Sequence, residues 1–259
     1  KFGGTSVANY QAMLRCANII KSNTLNRLVV VSASSGVTNH LVRLSQKNVP
    51  AQEQLTIVSN IKDIQLNITK HLDNEHSLNS DIDTLLDELT AYASAQSLNH
   101  STRIADSILS FGEQMSSRIF AQILKSVGLD SECFDVRQVM KTNSLYGKAV
   151  VDIEQLRSNA QALLLPKLEN QIIVTQGFIG QDDNEYTTTL GRGGSDYSAA
   201  LLAEALDAQN LSIWTDVVGI FTTDPRITDQ ARAIKEISFG EAAEMATFGA
   251  KILHPATLI

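Results

Sequence analysis

The chain has 259 residues, of which 43% are hydrophobic and 19% charged, and its formal net charge is −7. This composition is typical of a globular protein that can bury a substantial core, and it excludes a disordered or fibrous chain. The acidic balance argues against general nucleic-acid binding, because it supplies no positive field for a phosphodiester backbone. No apolar run reaches the ~18 residues of a membrane-spanning helix.

The first motif is a lysine beside glycines and hydroxyl side chains, in the order Lys1-Phe2-Gly3-Gly4-Thr5-Ser6. Glycine N–H groups can approach a phosphate closely while the ammonium group balances its charge, so the motif is a candidate phosphate-binding loop. It lacks the GxxxxGK[ST] order of a P-loop, and a strand ending in a glycine turn explains the same residues equally well.

Three short apolar segments predict buried strands, each followed by small or polar residues. They run from Leu28 to Ala33, from Ile172 to Thr175 and from Leu211 to Thr215. Ligands bind at the carboxyl ends of strands in open parallel sheets, so the loops after these strands are the expected place for chemistry.

Apolar residues at three-and-four spacing predict long helices between these strands. The predicted helices run from Gln54 to Leu72, from Leu78 to Leu98, from Ser101 to Val127 and from Ser195 to Leu206. Alternating strands and helices predict an α/β sandwich with a largely parallel sheet.

A second glycine-rich segment, Thr187 to Asp196, places Arg192 and Asp196 around small residues at a predicted helix start. Tight-turn glycines alone are the simpler interpretation, and the order does not match GxGxxG. However, an aspartate in a phosphate-binding loop is unfavourable unless it holds a metal or orients cations, which favours a functional role for Asp196.

A third polar segment, Trp214 to Arg226, follows the last predicted strand and suits an adenine or ribose, although a solvated connection is an equal alternative. Lys251 follows a glycine further on, where a solvent-facing lysine is the usual outcome. Cys16 and Cys133 are far apart and predict reduced thiols rather than a disulfide or a zinc site. No metal-ligand set is predicted.

The chain begins without methionine and ends on LHPATLI, so we expect a piece of a longer protein. No basic-then-apolar leader precedes the first motif, and we therefore expect the cytoplasm as its location.

The motifs taken together resemble aspartate kinases, most closely the monofunctional, lysine-sensitive bacterial type, over essentially the whole chain. In order they are KFGGTSVA, VVVSASSGVTNHL, FGEQMSSRI, FDVRQVM, TQGFIG, TTTLGRGGSDYSAALLAEAL, WTDVVGIFTTDPR and EMATFGAKILHP. The resemblance implies the amino-acid kinase, or carbamate kinase-like, fold: a three-layer αβα sandwich with a mainly parallel central sheet. It also implies an amino-acid-binding lobe over about 1–180 and a nucleotide-binding lobe over about 181–259.

The same resemblance implies transfer of a phosphoryl group from ATP with Mg²⁺ to the β-carboxylate of L-aspartate, the first step of lysine, threonine and methionine biosynthesis. Lys1 would contact the transferring group, and Asp196 would organise the catalytic cations. For the substrate, Arg192 would bind the α-carboxylate and Glu113 the ammonium, although a helix-surface charge is an alternative for Glu113. Ser32 and Thr38 would donate hydrogen bonds to the substrate carboxylates.

The implied nucleotide contacts come from both ends of the chain: Gly3, Gly4, Thr215, Asp216, Phe221, Arg226 and Lys251. Phe221 stands where related sequences often carry tyrosine, so an adenosine contact through that hydroxyl would be missing. The expected partners are L-aspartate and ATP, with no nucleic acid and no membrane. Members of this family carry paired ACT domains, and we expect the parent protein to form a homodimer through them.

Two alternatives remain at this point. The first is a kinase of the same superfamily that acts on another acceptor, such as glutamate or a nucleoside monophosphate. The second is a non-catalytic domain that binds ATP or an amino acid.

Overall fold

The computed structural model describes residues 1–23, 25–73, 75–191, 193–217, 219–224 and 227–247. In this part of the chain the helices are α1 (Tyr10–Lys21), α2 (Val37–Leu44), α3 (Ala51–Thr69), α4 (Glu75–Leu98), α5 (Thr102–Ser126), α6 (Ile153–Asn159), α7 (Leu165–Leu168), α8 (Gly194–Ala205) and α9 (Phe239–Thr247). The strands are β1 (Leu28–Val31), β2 (Ser131–Phe134), β3 (Ile172–Gln176), β4 (Ile179–Gln181) and β5 (Thr187–Thr189).

The central sheet is parallel and has β3 between β1 and β2. Residues 1–3 extend it, because Phe2 forms parallel bridges both to Val31 of β1 and to Trp214. The Lys1 carbonyl accepts a hydrogen bond from the Trp214 N–H at 2.8 Å, and the Gly3 N–H donates to the Trp214 carbonyl at 3.2 Å. The opening motif therefore lies inside the sheet, next to the predicted strand Leu211 to Thr215, which forms only an isolated bridge.

Neighbouring residues of β1 point into two different cores. Val29 and Val31 belong to a cluster with α1 to α5, whereas Val30 belongs to a second cluster with α6 and α8. Successive side chains of a strand face opposite sides of a sheet, so each face is covered by its own layer of helices. This arrangement confirms the αβα sandwich with a parallel sheet.

The predicted long helices are present, with ends that differ by up to three residues. Helix α3 begins at Ala51, directly after Pro50, which occupies the N-cap position. Helix α5 is buried on most of its surface, from Asp106 to Leu124, because it packs against the sheet as well as against α2 and α4. Among the described residues no helix is both long and apolar enough to cross a bilayer.

Several elements lay outside the sequence prediction, among them the helices α1, α2, α6, α7 and α9 and the strands β2, β4 and β5. Strand β2 pairs with β3, and β4 and β5 form a short antiparallel hairpin directly after β3. The hairpin leads into the glycine-rich segment and so decides where that segment lies relative to the sheet.

Candidate active site

The first and second glycine-bearing motifs meet at an ion pair. The Lys1 ammonium lies 2.5 Å from Asp196 Oδ1, and the two side chains are only 8% and 20% exposed. Asp196 Oδ1 is buried and, within the described residues, makes no hydrogen bond besides this charge contact. Two residues far apart in the chain are thus joined at one place with little access to water.

The fold places both charges at the ends of regular elements. Lys1 lies between β1 and Trp214 in the sheet, while Asp196 is in the first turn of α8. The N-cap of α8 is Gly193, whose φ of 75° is left-handed and therefore suits glycine. A carboxylate in the first turn of a helix interacts favourably with the positive end of the helix dipole.

Close backbone contacts bring the loops around this ion pair together. A Cβ atom on Gly177, just after β3, would lie 2.7 Å from Cβ of Ser195, and one on Gly4 would lie 2.9 Å from the Ala33 carbonyl oxygen. Gly112 of α5 packs equally closely against the loop after β1, since a Cβ atom added there would lie 2.6 Å from Cβ of Ala33. Glycine at these positions allows the loop after β1, the loop after β3 and the start of α8 to touch.

Glu113 lies in α5 beneath the loop after β1 and is 6% exposed, so it is not a solvent-facing helix charge. Its Oε1 accepts a hydrogen bond from the Ala33 N–H at 3.0 Å. Burial raises the pKa of Glu113 to about 7, although the Ala33 N–H and the nearby Lys1 charge act in the opposite direction. A carboxylate in this environment can form a strong pair with an incoming cation.

Of the two predicted substrate hydroxyls, that of Ser32 belongs to the residue next to Ala33, whose N–H contacts Glu113. The Ser32 carbonyl accepts a hydrogen bond from Ser116 Oγ of α5 at 2.8 Å, which fixes the chain just after β1. Thr38 is exposed in the first turn of α2. The fourth residue of the predicted substrate set, Arg192, lies outside the described residues.

The predicted nucleotide segment follows directly from the bridge between Phe2 and Trp214. Thr215 and Asp216 are exposed there, and Thr215 Oγ1 donates to Asp216 Oδ1 at 3.0 Å. Phe221 is half-buried and forms an antiparallel bridge to Ala233. Gly3 and Gly4 lie at the adjacent end of the opening motif, whereas Arg226 and Lys251 lie outside the described residues.

Phe178 is a site residue that the sequence analysis missed. Its φ of 73° is unusual for a residue with a side chain, and its N–H donates to Ser198 Oγ of α8 at 2.9 Å. Its carbonyl accepts from the Leu190 N–H at 2.9 Å. Phe178 therefore links β3 to the glycine-rich segment, and the available signal was its place after a glycine in TQGFIG.

A model of the amino acid kinase family matches residues 1–259. The chain belongs to the amino acid kinase family.

Several relatives of this amino acid kinase are aspartokinases. Lysine-sensitive aspartokinase 3 of Escherichia coli is 50% identical over 259 residues, which is all of this chain and 58% of that protein. A crystal structure of E. coli aspartokinase III in complex with aspartate and ADP matches with a TM-score of 0.96 at 49% identity, over 100% of this chain and 57% of that chain. The Clostridium acetobutylicum aspartate kinase shares the fold, with a TM-score of 0.80 at 23% identity over 100% of this chain and 56% of that chain.

The chain thus spans somewhat more than half the length of these relatives. Within the described residues, no group of three or more histidine, cysteine, aspartate or glutamate side chains is arranged to hold a metal ion.

Proposed function

We propose that this amino acid kinase transfers the γ-phosphoryl group of ATP to the β-carboxylate of L-aspartate and forms 4-phospho-L-aspartate, the first step of lysine, threonine and methionine biosynthesis. The observation that carries the proposal is the ion pair between Lys1 and Asp196, which lies in a nearly buried position. The similarity to E. coli aspartokinase III, whose crystal structure contains aspartate and ADP, supports the same substrates here.

Lys1 is the residue that we assign to the transferring phosphoryl group. Phosphoryl transfer through a loose transition state requires positioning and positive charge around the phosphoryl oxygens, not a protein nucleophile. The substrate carboxylate is ionised at neutral pH and attacks phosphorus directly, so no general base is needed. We accordingly assign Asp196 the role of orienting cations, among them the Lys1 ammonium.

The amino-acid site combines one cation, one anion and two hydroxyl groups. Arg192 would bind the α-carboxylate with both arms of its guanidinium group, and Glu113 would bind the substrate ammonium. Ser32 and Thr38 would donate hydrogen bonds to the carboxylates. The raised pKa of Glu113 supports its role, because a substrate ammonium would stabilise the ionised form that burial disfavours.

The nucleotide site would be formed by residues that follow the opening motif and the Trp214 bridge: Gly3, Gly4, Thr215, Asp216, Phe221, Arg226 and Lys251. Phe221 would contribute ring packing only. Mg²⁺ prefers oxygen ligands and reaches such sites bound to the nucleotide phosphates, and the buried Oδ1 of Asp196 is an oxygen of this kind. When bound, Mg²⁺ would neutralise part of the phosphate charge.

For the whole protein we propose an amino-acid lobe over about 1–180, a nucleotide lobe over about 181–259, a cytoplasmic location, and a homodimer formed through ACT domains. These assignments follow from the resemblance to aspartate kinases.

The test is ADP release by the intact protein with L-aspartate, L-glutamate or carbamate as acceptor, in the presence of ATP and Mg²⁺. We expect turnover with L-aspartate alone, and detection of its hydroxamate after trapping with hydroxylamine. Turnover with glutamate or carbamate in place of aspartate would support a different kinase of this family, and ATP binding with no turnover would support a non-catalytic domain.

A further inference from the structure

Asp106 is a buried carboxylate that none of the roles above uses. It lies near the start of α5 and is 1% exposed. Its Oδ2 accepts hydrogen bonds from the Gly147 N–H at 2.9 Å and the Thr189 N–H at 2.7 Å, and its Oδ1 accepts from Thr189 Oγ1 at 2.9 Å. One side chain therefore holds two distant parts of the backbone.

These two parts of the backbone belong to one small assembly. Thr189 ends β5 and lies in the first part of the glycine-rich segment that leads to α8. Its carbonyl accepts a hydrogen bond from the Ala149 N–H at 2.9 Å, and a Cβ atom on Gly191 would lie 3.2 Å from the Gly147 carbonyl oxygen. Asp106 thus holds the first part of the glycine-rich segment in two ways: directly at Thr189, and indirectly through Gly147, which packs against Gly191.

Asp106 also shares a helix with Glu113. The two residues are separated by about two turns of α5. The same helix therefore carries the carboxylate assigned to the substrate ammonium and the carboxylate that anchors the segment leading to Asp196. A shift of Thr189 relative to α5 would move the segment that leads to Asp196 and so change the distance between Asp196 and Glu113.

Burying a carboxylate costs free energy unless its oxygens are hydrogen-bonded or paired with a cation. Among the described residues no cation forms an ion pair with Asp106, so the three donors named above compensate for its desolvation. Burial nevertheless raises the pKa of the Asp106 carboxyl above its usual value. The Asp106 Oδ2 atom accepts hydrogen bonds from two backbone N–H groups, and an apolar side chain could accept neither.

We propose that Asp106 is a positioning residue for the candidate active site: it fixes the start of the glycine-rich segment, and through it Asp196, relative to Glu113. This inference rests on the proposed function.

The test compares Asp106→Ala with Asp106→Asn in the intact protein. Asparagine can keep the contacts, because its amide oxygen can accept both N–H groups while its NH₂ group donates to the Thr189 hydroxyl oxygen. We expect Asp106→Ala to lower kcat/KM for L-aspartate on the order of tenfold to a hundredfold, with the KM for ATP changed by less than about twofold. Asp106→Asn should restore most of this loss.

Gln96→Ala is the matched control, since Gln96 is also a buried polar residue that links backbones. Its Nε2 donates to the Ser45 carbonyl at 2.7 Å, and its Oε1 accepts from the Ser101 N–H at 3.0 Å, both in the helical layer. We expect Gln96→Ala to lower stability and leave both KM values unchanged. If Asp106→Ala behaves in the same way, or if Asp106→Asn is as impaired as Asp106→Ala, the proposal is overturned.

Amide hydrogen exchange provides a readout without turnover. Exchange should accelerate at Gly147 and Thr189 in Asp106→Ala and stay unchanged there in Gln96→Ala; equal exchange in native protein and Asp106→Ala would refute the anchoring role.

Should Asp106→Ala not fold, Thr189→Val tests one hydrogen bond alone, with Thr189→Ser as its rescue. Absence of aspartate-dependent turnover in the native protein would refute the proposed function, whereas exchange would still test the anchor.

Discussion

At the scale of single residues, the central feature is a lysine withdrawn from water. The Lys1 side chain is 8% exposed and pairs with the Asp196 carboxylate, and its charge also acts to lower the pKa of Glu113. Charges interact more strongly where water is excluded, so this ammonium can act on a neighbouring phosphoryl group more effectively than a surface lysine. The ion pair with Asp196 also limits the conformations that the long lysine side chain can adopt.

We predict that Lys1→Ala lowers kcat on the order of 10²–10³-fold, because removing one preorganised charge contact commonly has this effect. Aspartate binding should be largely retained, since the proposed partner of Lys1 is the phosphoryl group. Single-turnover kinetics and calorimetric titration with aspartate measure the two quantities. Lys167→Ala is the control, because Lys167 forms a surface ion pair with Glu132 at 3.0 Å. Native turnover in Lys1→Ala would remove the residue from the mechanism.

At the scale of secondary-structure elements, the site depends on how α8 meets β3. Asp196 belongs to the first turn of α8, and Gly177 follows the last residue of β3. The two elements approach so closely that Gly177 has no room for a side chain. The position of Asp196 is therefore set by backbone packing as well as by its own contacts.

We predict that Gly177→Ala displaces the start of α8, because the new methyl group would lie 2.8 Å from the Ser195 Cα atom, which is backbone and cannot rotate away. Overpacking of this kind costs about 1–3 kcal/mol of stability. We expect kcat/KM to fall on the order of a hundredfold. Thermal unfolding and steady-state kinetics measure both effects.

Gly240→Ala is the matched control for this variant, since a Cβ atom there would meet nothing within 4 Å. It should keep native activity. Equal kinetics in Gly177→Ala and Gly240→Ala would show that the close approach does not determine the geometry of the site.

For the molecule as a whole, the burial of the Glu113 carboxyl makes the free energy of unfolding depend on pH. Burial raises the pKa of this carboxyl from 4.5 to about 7. A group whose pKa is higher in the folded protein holds its proton more tightly when folded. Its contribution to stability is therefore greatest below the unfolded pKa and is lost as the pH rises toward the folded pKa, by roughly 3 kcal/mol in total.

We predict that Glu113→Gln removes this part of the pH dependence and makes the protein more stable than the native one at about pH 8. Glutamine still accepts from the Ala33 N–H and has no charge to desolvate. Denaturant unfolding between about pH 5 and pH 8 measures the difference. Glu132→Gln, at the surface, should not reproduce the change, and native and Glu113→Gln curves that run parallel would contradict the prediction. The gain in stability should accompany weaker aspartate binding.

Local patterns in the sequence were enough to predict the layered α/β architecture, and the motifs were enough to suggest the candidate site residues. Long helices such as α3, α4 and α5 were predictable because many turns repeat the same apolar spacing within one segment. The resemblance to aspartate kinases identified Lys1, Asp196 and Glu113 as candidates from local motifs. The lobe boundary at about residue 180 and the roles of all the candidate site residues stay predictions, and Arg192, Arg226 and Lys251 lie outside the described residues.

Only the tertiary structure decided which of these residues meet and what surrounds them. Strands β2, β4 and β5 are too short to show a period, and they exist because β3 and the glycine-rich segment lie beside them. The burial of Glu113 and the three hydrogen bonds to Asp106 likewise have no local signal. Each arises from contacts between residues far apart in the chain, and local spacing does not encode such contacts.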